Sequence, residues 1–91
     1  MRIEFDPLKS AKNERVRGLP FAEATPLYNG PRLEWEDRRK DYGEVRCNTL
    51  GKIEGRVFFV TFTRREEAVR IISFRKENTK ETRLYRQHFS R

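Results

Sequence analysis

Six side chains in the second half of the chain are of the types that handle a phosphodiester: Arg46, Thr63, Arg64, Arg75, Lys76 and Tyr85. RNA cleavage through its own 2′-hydroxyl needs no cofactor. It needs proton removal from that hydroxyl, stabilisation of an anionic phosphorane, and a proton for the leaving 5′ oxygen. Guanidinium forks suit the second task because they bind two phosphate oxygens at once and stay charged at any physiological pH. The proton transfers are harder to assign, since Tyr and Lys have ordinary pKa values near 10 and a dense positive field has to lower one of them. Such a site is a slow catalyst unless the substrate is well positioned. Each residue also has an ordinary explanation. Tyr85 keeps helical spacing with Leu84, His88 and Phe89, as a packing residue does. Arg75 and Lys76 at a strand end fit solvated charge equally well. On residue types alone, cleavage and plain nucleic-acid binding stand equally open.

Other chemistries find less to work with. His88 is the sole histidine and Cys47 the sole cysteine, so a zinc site, a His-paired nucleophile and a two-histidine ribonuclease scheme lack their parts. No metal or other cofactor is expected. Glu34, Glu36 and Asp37 are flanked by Arg38 and Arg39 and read as a solvated strand face rather than a magnesium site. Trp35 reads as core. His88, the one group with an ordinary pKa near neutrality, reads as a partly exposed helix residue.

The 91 residues carry a net charge of +7, unevenly spread. From Thr63 onward there are nine Lys or Arg against four Glu, whereas residues 1–62 have twelve against ten acids. The complement of such a C-terminal third is a polyanion or an acidic protein. Charged residues (38%) outnumber apolar ones (35%), which predicts one domain, residues 1–91, with a thin core under a polar surface. A lone cysteine excludes an intrachain disulfide and fits a reducing cytoplasm. The absence of an apolar leader, or of any run near the ~18 apolar residues that span a bilayer, predicts neither export nor membrane insertion.

The elements that must position these residues can be read from spacing. Asp6-Pro7 is a helix start, and the helix should run to about Arg17 and stop at Gly18, with Leu8, Ala11 and Val16 as a narrow apolar stripe packed on a sheet. Phe21, Ala24, Leu27 and Tyr28 predict a second, short helix ended by Asn29-Gly30-Pro31. Then the period changes to two. Strands are predicted at Arg32–Asp37, Val45–Ile53, Arg56–Thr63 and Val69–Arg75, the second with one buried and one wet face. A two-residue connection at Glu54-Gly55 would set Thr49 opposite Val60 and Cys47 opposite Phe62. Asn78 or Thr79, with Glu81, forms a capping-box start for a last helix. The fold class is α+β: two N-terminal helices, a four-stranded antiparallel sheet and a C-terminal helix.

One ordered set of motifs spans nearly the whole chain. It comprises Phe5-Asp6-Pro7-x-Lys9-x-x-x-Asn13, Arg17-Gly18-Leu19-Pro20-Phe21-x-x-Ala24, Glu36-Asp37, Arg39-x-Asp41-Tyr42-Gly43-Glu44-x-Arg46, Leu50-Gly51, and Arg70-Ile71-Ile72-Ser73-x-Arg75-Lys76 followed by Glu81 and Tyr85. In order and spacing it resembles the BrnT toxins. The resemblance implies a RelE-like fold, a bacterial ribonuclease toxin of a type II toxin-antitoxin pair, and a cognate BrnA-type antitoxin in a 2:2 heterotetramer that reaches operator DNA only through the antitoxin. It also implies catalysis by Arg64, Arg75 and Tyr85, with Arg46, Lys76 and Thr63 contacting RNA. Two positions depart from the family's usual pattern: Val16-Arg17 stand where Lys-His is common, and Glu77 where Ala is common. The alternative is a non-catalytic nucleic-acid-binding or antitoxin-interaction module on the same scaffold.

Overall fold

A computed structural model of the chain describes residues 2–89. In chain order the elements are strand β1 (Arg2–Phe5), helix α1 (Pro7–Arg17), a 3-10 segment (Phe21–Asn29), strands β2 (Arg32–Asp37), β3 (Arg46–Ile53), β4 (Arg56–Arg65) and β5 (Ala68–Lys76), and helix α2 (Thr79–Phe89). The architecture is α+β, as the sequence predicts, but the sheet has five strands and is mixed. Its order is β1-β5-β4-β3-β2. The four predicted strands form the antiparallel part, and β1 adds to β5 in parallel, with Ile3 opposite Val69 and Phe5 opposite Ile71. This strand was not expected: four residues give too short an alternation to stand out. It holds because Ile3 and Phe5 pack against the main core, Phe5 meeting Phe21 edge to face at 5.9 Å.

Helix α1 begins and ends where its sequence directs. The Asp6 carboxylate accepts from the Leu8 amide at 2.9 Å, Pro7 occupies the first turn, and Gly18 closes the helix at a φ of 72°. Its packing is the reverse of expectation. Leu8 (80% exposed) and Val16 (67%) face outward, so the apolar stripe is not the buried one. Polar groups attach the helix instead. The Ser10 hydroxyl accepts from the Phe21 amide, and Asn13 Nδ2 donates to the carbonyls of Leu19 and Phe74 at 2.7 and 2.8 Å.

The second expected helix is 3-10 in character, for a reason visible in its residues. Pro26 cannot donate a backbone bond and biases Thr25 away from the α region. With three residues per turn, Phe21, Ala24 and Leu27 eclipse on one line, and all three are buried. That line lies over β3. Leu27 comes so close that a Cβ built on Gly51 would stand 2.7 Å from Leu27 Cγ.

The hairpin forms with the expected register, Thr49 opposite Val60 and Cys47 opposite Phe62. Its turn residues, Glu54 and Gly55, both have positive φ, as a twist-compatible two-residue turn requires. The expectation that β3 has one wet face is corrected: Asn48, Thr49 and Leu50 are all buried, because the sheet carries a layer on each side. One side, under the 3-10 segment, holds the main core of Phe21, Ala24, Leu27, Tyr28, Phe58, Val60, Phe62, Val69, Ile71 and Phe74. The other holds a smaller cluster of Leu50, Val57, Phe59 and Tyr85, with Leu33 against it. Strand β4 feeds both by simple alternation. Truncating a main-core ring such as Phe62 to Ala would cost about 3–5 kcal/mol.

Strands β4 and β5 are joined through the Glu66-Glu67 turn and pair regularly from Arg65 opposite Ala68 to Phe62 opposite Ile71. Thr61 then pairs with Ser73, which leaves Ile72 as one extra residue. Had the ladder continued unshifted, Arg75 would stand opposite Phe58 on the main-core side. The bulge sets it opposite Phe59, on the other side.

Candidate nucleic-acid interface

Helix α2 covers only part of the side opposite the main core. Its start is a completed capping box: Asn78 Oδ1 accepts from the Glu81 amide at 2.8 Å, and Glu81 Oε1 accepts from the Asn78 amide at 3.0 Å. Tyr85, one turn later, is buried against the small cluster, its hydroxyl 3.5 Å from the Pro31 carbonyl oxygen. Burial raises its pKa above the ordinary tyrosine value. Leu84 and Phe89 stay 44% and 37% exposed, so of the four residues expected on one helix face only Tyr85 is buried.

Beyond α2 this side of the sheet is open and forms a concavity of about 460 Å³ whose lining includes Trp35, Asp37, Arg39, Asn48, Phe59 and Arg75. The Arg75 guanidinium lies over the Phe59 ring at 4.1 Å and donates two hydrogen bonds of 2.8 Å to the Glu81 carboxylate. The Glu81 carboxyl is pushed up by burial, but the bonds from Arg75 and the Asn78 amide outweigh this and hold it below its ordinary value. In the floor, Thr61 donates from Oγ1 to Asn48 Oδ1 at 2.9 Å.

Asp37 closes the far rim. Arg39 donates to both its oxygens at 2.9 and 2.8 Å, and the Tyr42 hydroxyl donates at 3.2 Å. The hydrogen bonds from Arg39 come first among the causes that hold this carboxyl well below the usual carboxylate range, against the opposing effect of burial. Arg46 stacks on the Tyr42 ring at 4.3 Å, and its Nε is buried without a hydrogen-bond partner. Thr63 is buried and spends its hydroxyl proton on the Val45 carbonyl at 3.0 Å. Continuing the β3–β4 register one step past Cys47 opposite Phe62 sets Arg46 level with Thr63, four positions along β4 from Phe59, which stands opposite Arg75. That sets the two ends of the groove about 13 Å apart along the strands.

The six residues singled out in the sequence do not converge. Arg75, Tyr85, Arg46 and Thr63 share the α2 side of the sheet. Arg64 and Lys76 belong to the other side by strand alternation, Arg64 beyond Phe62 and Lys76 opposite Phe58. The Arg64 guanidinium sits 5.2 Å from the Phe62 ring centre and donates to Glu34 at 2.8 Å, and Glu34 is also held by Arg32. The acidic run is thus divided. Glu34 pairs with Arg32 and Arg64 on the main-core side, Glu36 pairs with Arg38 at the strand's end beside the groove, and Asp37 faces the groove. Among the described residues no group of three His, Cys, Asp or Glu is placed to hold a metal ion.

Sequence reasoning assigned Trp35 to the core, where the structure leaves it 37% exposed, passed over the Asn48–Thr61 pair, and gave Glu81 only a capping role. Strand parity was the available signal for Trp35 and Asp37, which alternate with Glu34 and Glu36. The predicted hairpin register already sets Asn48 opposite Thr61, but nothing in it announces the hydrogen bond between their side chains.

Among the described residues no helix is long and apolar enough to cross a membrane. A search of curated proteins finds no match. A family model described as a ribonuclease toxin, BrnT, of type II toxin-antitoxin systems matches residues 5–81. That span takes in the groove, both rims and the α2 cap, and with it the chain belongs to the BrnT family of ribonuclease toxins.

Proposed function

We propose that this chain cleaves RNA without a metal ion, by attack of a 2′-hydroxyl on the adjacent phosphodiester, in the groove that α2 leaves open. The observation that carries the reading is Arg75: a guanidinium fixed by stacking on Phe59 and by Glu81, at the end of a concavity whose other arginines, Arg38 and Arg39, are paired to Glu36 and Asp37. A preorganised guanidinium beside an open groove is the feature that stabilises a phosphorane, because its orientation costs nothing during reaction. Arg46, stacked on Tyr42 and ion-paired through Nε to Glu44 at 3.6 Å, adds positive charge beyond the far rim. Tyr85 lines the adjoining concavity beside α2 rather than this groove, with its hydroxyl turned to the Pro31 carbonyl; in this reading it swings its phenol toward the leaving oxygen to deliver the proton. Thr63 orders the chain beside Arg46 through its bond to Val45. Arg64 and Lys76, on the reverse side, add to the positive field that draws RNA in.

In this reading the scaffold is RelE-like and the toxin acts in the bacterial cytoplasm. A BrnA-type antitoxin neutralises it in a 2:2 heterotetramer and alone supplies the contact with operator DNA. A second reading, binding without cleavage, draws on one observation: Glu81 already occupies two donors of Arg75. The test incubates purified protein with single-stranded RNA in EDTA, beside folded Arg75→Ala and Tyr85→Phe variants, and sequences the ends. EDTA-resistant cutting that leaves 2′,3′-cyclic phosphates and is lost in the variants supports the nuclease. RNA left intact both alone and with ribosomes present favours binding.

A further inference from the structure

We propose that Trp35 is a stacking platform for a nucleobase of single-stranded RNA, so that the groove grips base and phosphate together. The proposal rests on the reading of this groove as an RNA site and adds the part that touches the base. Trp35 is the only tryptophan, and it stands on β2 opposite Asn48, on the α2 side of the sheet. It is not sealed into the small cluster. It remains 37% exposed, leaning edge to face on Phe59 at 6.0 Å and 68°, while Arg75 covers Phe59 at 4.1 Å. Indole, phenyl ring and guanidinium therefore follow one another across the groove, with the indole on one wall and the Arg75–Glu81 pair on the other.

A solvated aromatic surface next to guanidinium groups is what an unpaired nucleotide recognises. Its base has a π-face whatever its identity, and its phosphate needs a cation within reach. Arg38 and Arg39, ion-paired to Glu36 and Asp37, present further guanidinium groups on the Trp35 side, their side chains 79% and 78% exposed. Asn48 adds a polar edge. Although only 4% exposed, Asn48 lines the concavity, and with its Oδ1 accepting from Thr61 its amide NH2 is the end left to donate. Stacking on one exposed indole face does not discriminate strongly among bases, so the preference is for purines over pyrimidines by area.

The single tryptophan makes the test direct. Intrinsic fluorescence is titrated with two 2′-O-methyl hexanucleotides that cannot be cleaved, oligo(A) and an abasic chain of equal charge. The expected result is saturable quenching by oligo(A), with none by the abasic chain. Trp35→Leu should weaken oligo(A) binding, read by anisotropy of a labelled oligomer, by about tenfold and leave abasic binding unchanged. Trp35→Phe should recover most of the loss, and melting curves check both folds. Equal quenching by the two oligomers, oligo(A) binding without quenching, or unaltered affinity in folded Trp35→Leu overturns the proposal. Because these oligomers are inert, stacking can succeed where cleavage fails, and cleavage of ordinary RNA can succeed where stacking fails.

Discussion

Arg75 and Glu81 are joined by two parallel hydrogen bonds of 2.8 Å, and Glu81 is at the same time the residue that completes the N-terminal cap of α2. One carboxylate thus holds both the guanidinium of the groove and the first turn of the helix beside it. Glu81→Ala should cost about 1–2 kcal/mol in urea unfolding, through the lost cap and the stranded guanidinium. A larger fall in RNA cleavage than in stability would show that orientation of Arg75, and not folding alone, depends on Glu81. Equal stability of variant and parent would contradict the linkage.

The side of the sheet on which each arginine stands makes a contrast. Arg75→Ala should reduce cleavage by about a hundredfold or more, as loss of a preorganised donor does. Arg64→Ala, on the reverse side and paired to Glu34, should change it by only about threefold, as a screened surface charge does. Single-turnover rates on one RNA decide this. Comparable losses in both variants would move the site away from the α2 groove.

Asp37 predicts a pH dependence. Its folded carboxyl is held well below the unfolded value near 3.8, chiefly by Arg39, so its stabilising contribution is complete above that value and is lost as pH falls through the lower folded one. Thermal melts should show Asp37→Asn less stable than the parent at neutral pH, with the gap narrowing below about pH 4. A gap that stays constant down to pH 2 would refute the assignment.

Gly51 predicts a steric penalty. A methyl group there meets Leu27 Cγ at 2.7 Å, and Leu27 is fully buried under the 3-10 segment. Gly51→Ala should destabilise by about 1–3 kcal/mol, and trimming the partner in Gly51→Ala/Leu27→Ala should be less costly than the two separate losses added together. Strict additivity in chemical denaturation would dismiss the contact.

Much of the fold was legible because it is written in local chemistry. Asp6-Pro7, Gly18, the Glu54-Gly55 turn and the Asn78–Glu81 box each act within a few residues, and each does what its spacing announced. The capping box even carried part of the site unnoticed. What escaped depends on distant parts of the chain. β1 is a strand only because β5 offers an edge and Phe21 a ring to pack on. α1 turns its polar residues inward because Phe74 and Phe21 present backbone groups for Asn13 and Ser10 to satisfy. The separation of Arg64 from Arg75 hangs on Ile72, one residue that shifts the register between them. No periodicity in the sequence marks that shift, so two arginines that look like neighbours in function lie on opposite sides.

Strand β4 has a consequence for how the molecule moves. It is the middle strand of five, and its successive residues enter the two apolar layers in turn, Val57 and Phe59 in one, Phe58, Val60 and Phe62 in the other. Neither layer can loosen without withdrawing alternate side chains from the same backbone, so the two melt as one unit. In native-state hydrogen exchange the β4 amides should open only with global unfolding, while α1, tethered by a few polar bonds at the sheet's rim, opens far sooner. The rigid strand lies directly beneath the groove, and the breathing helix is on the opposite side.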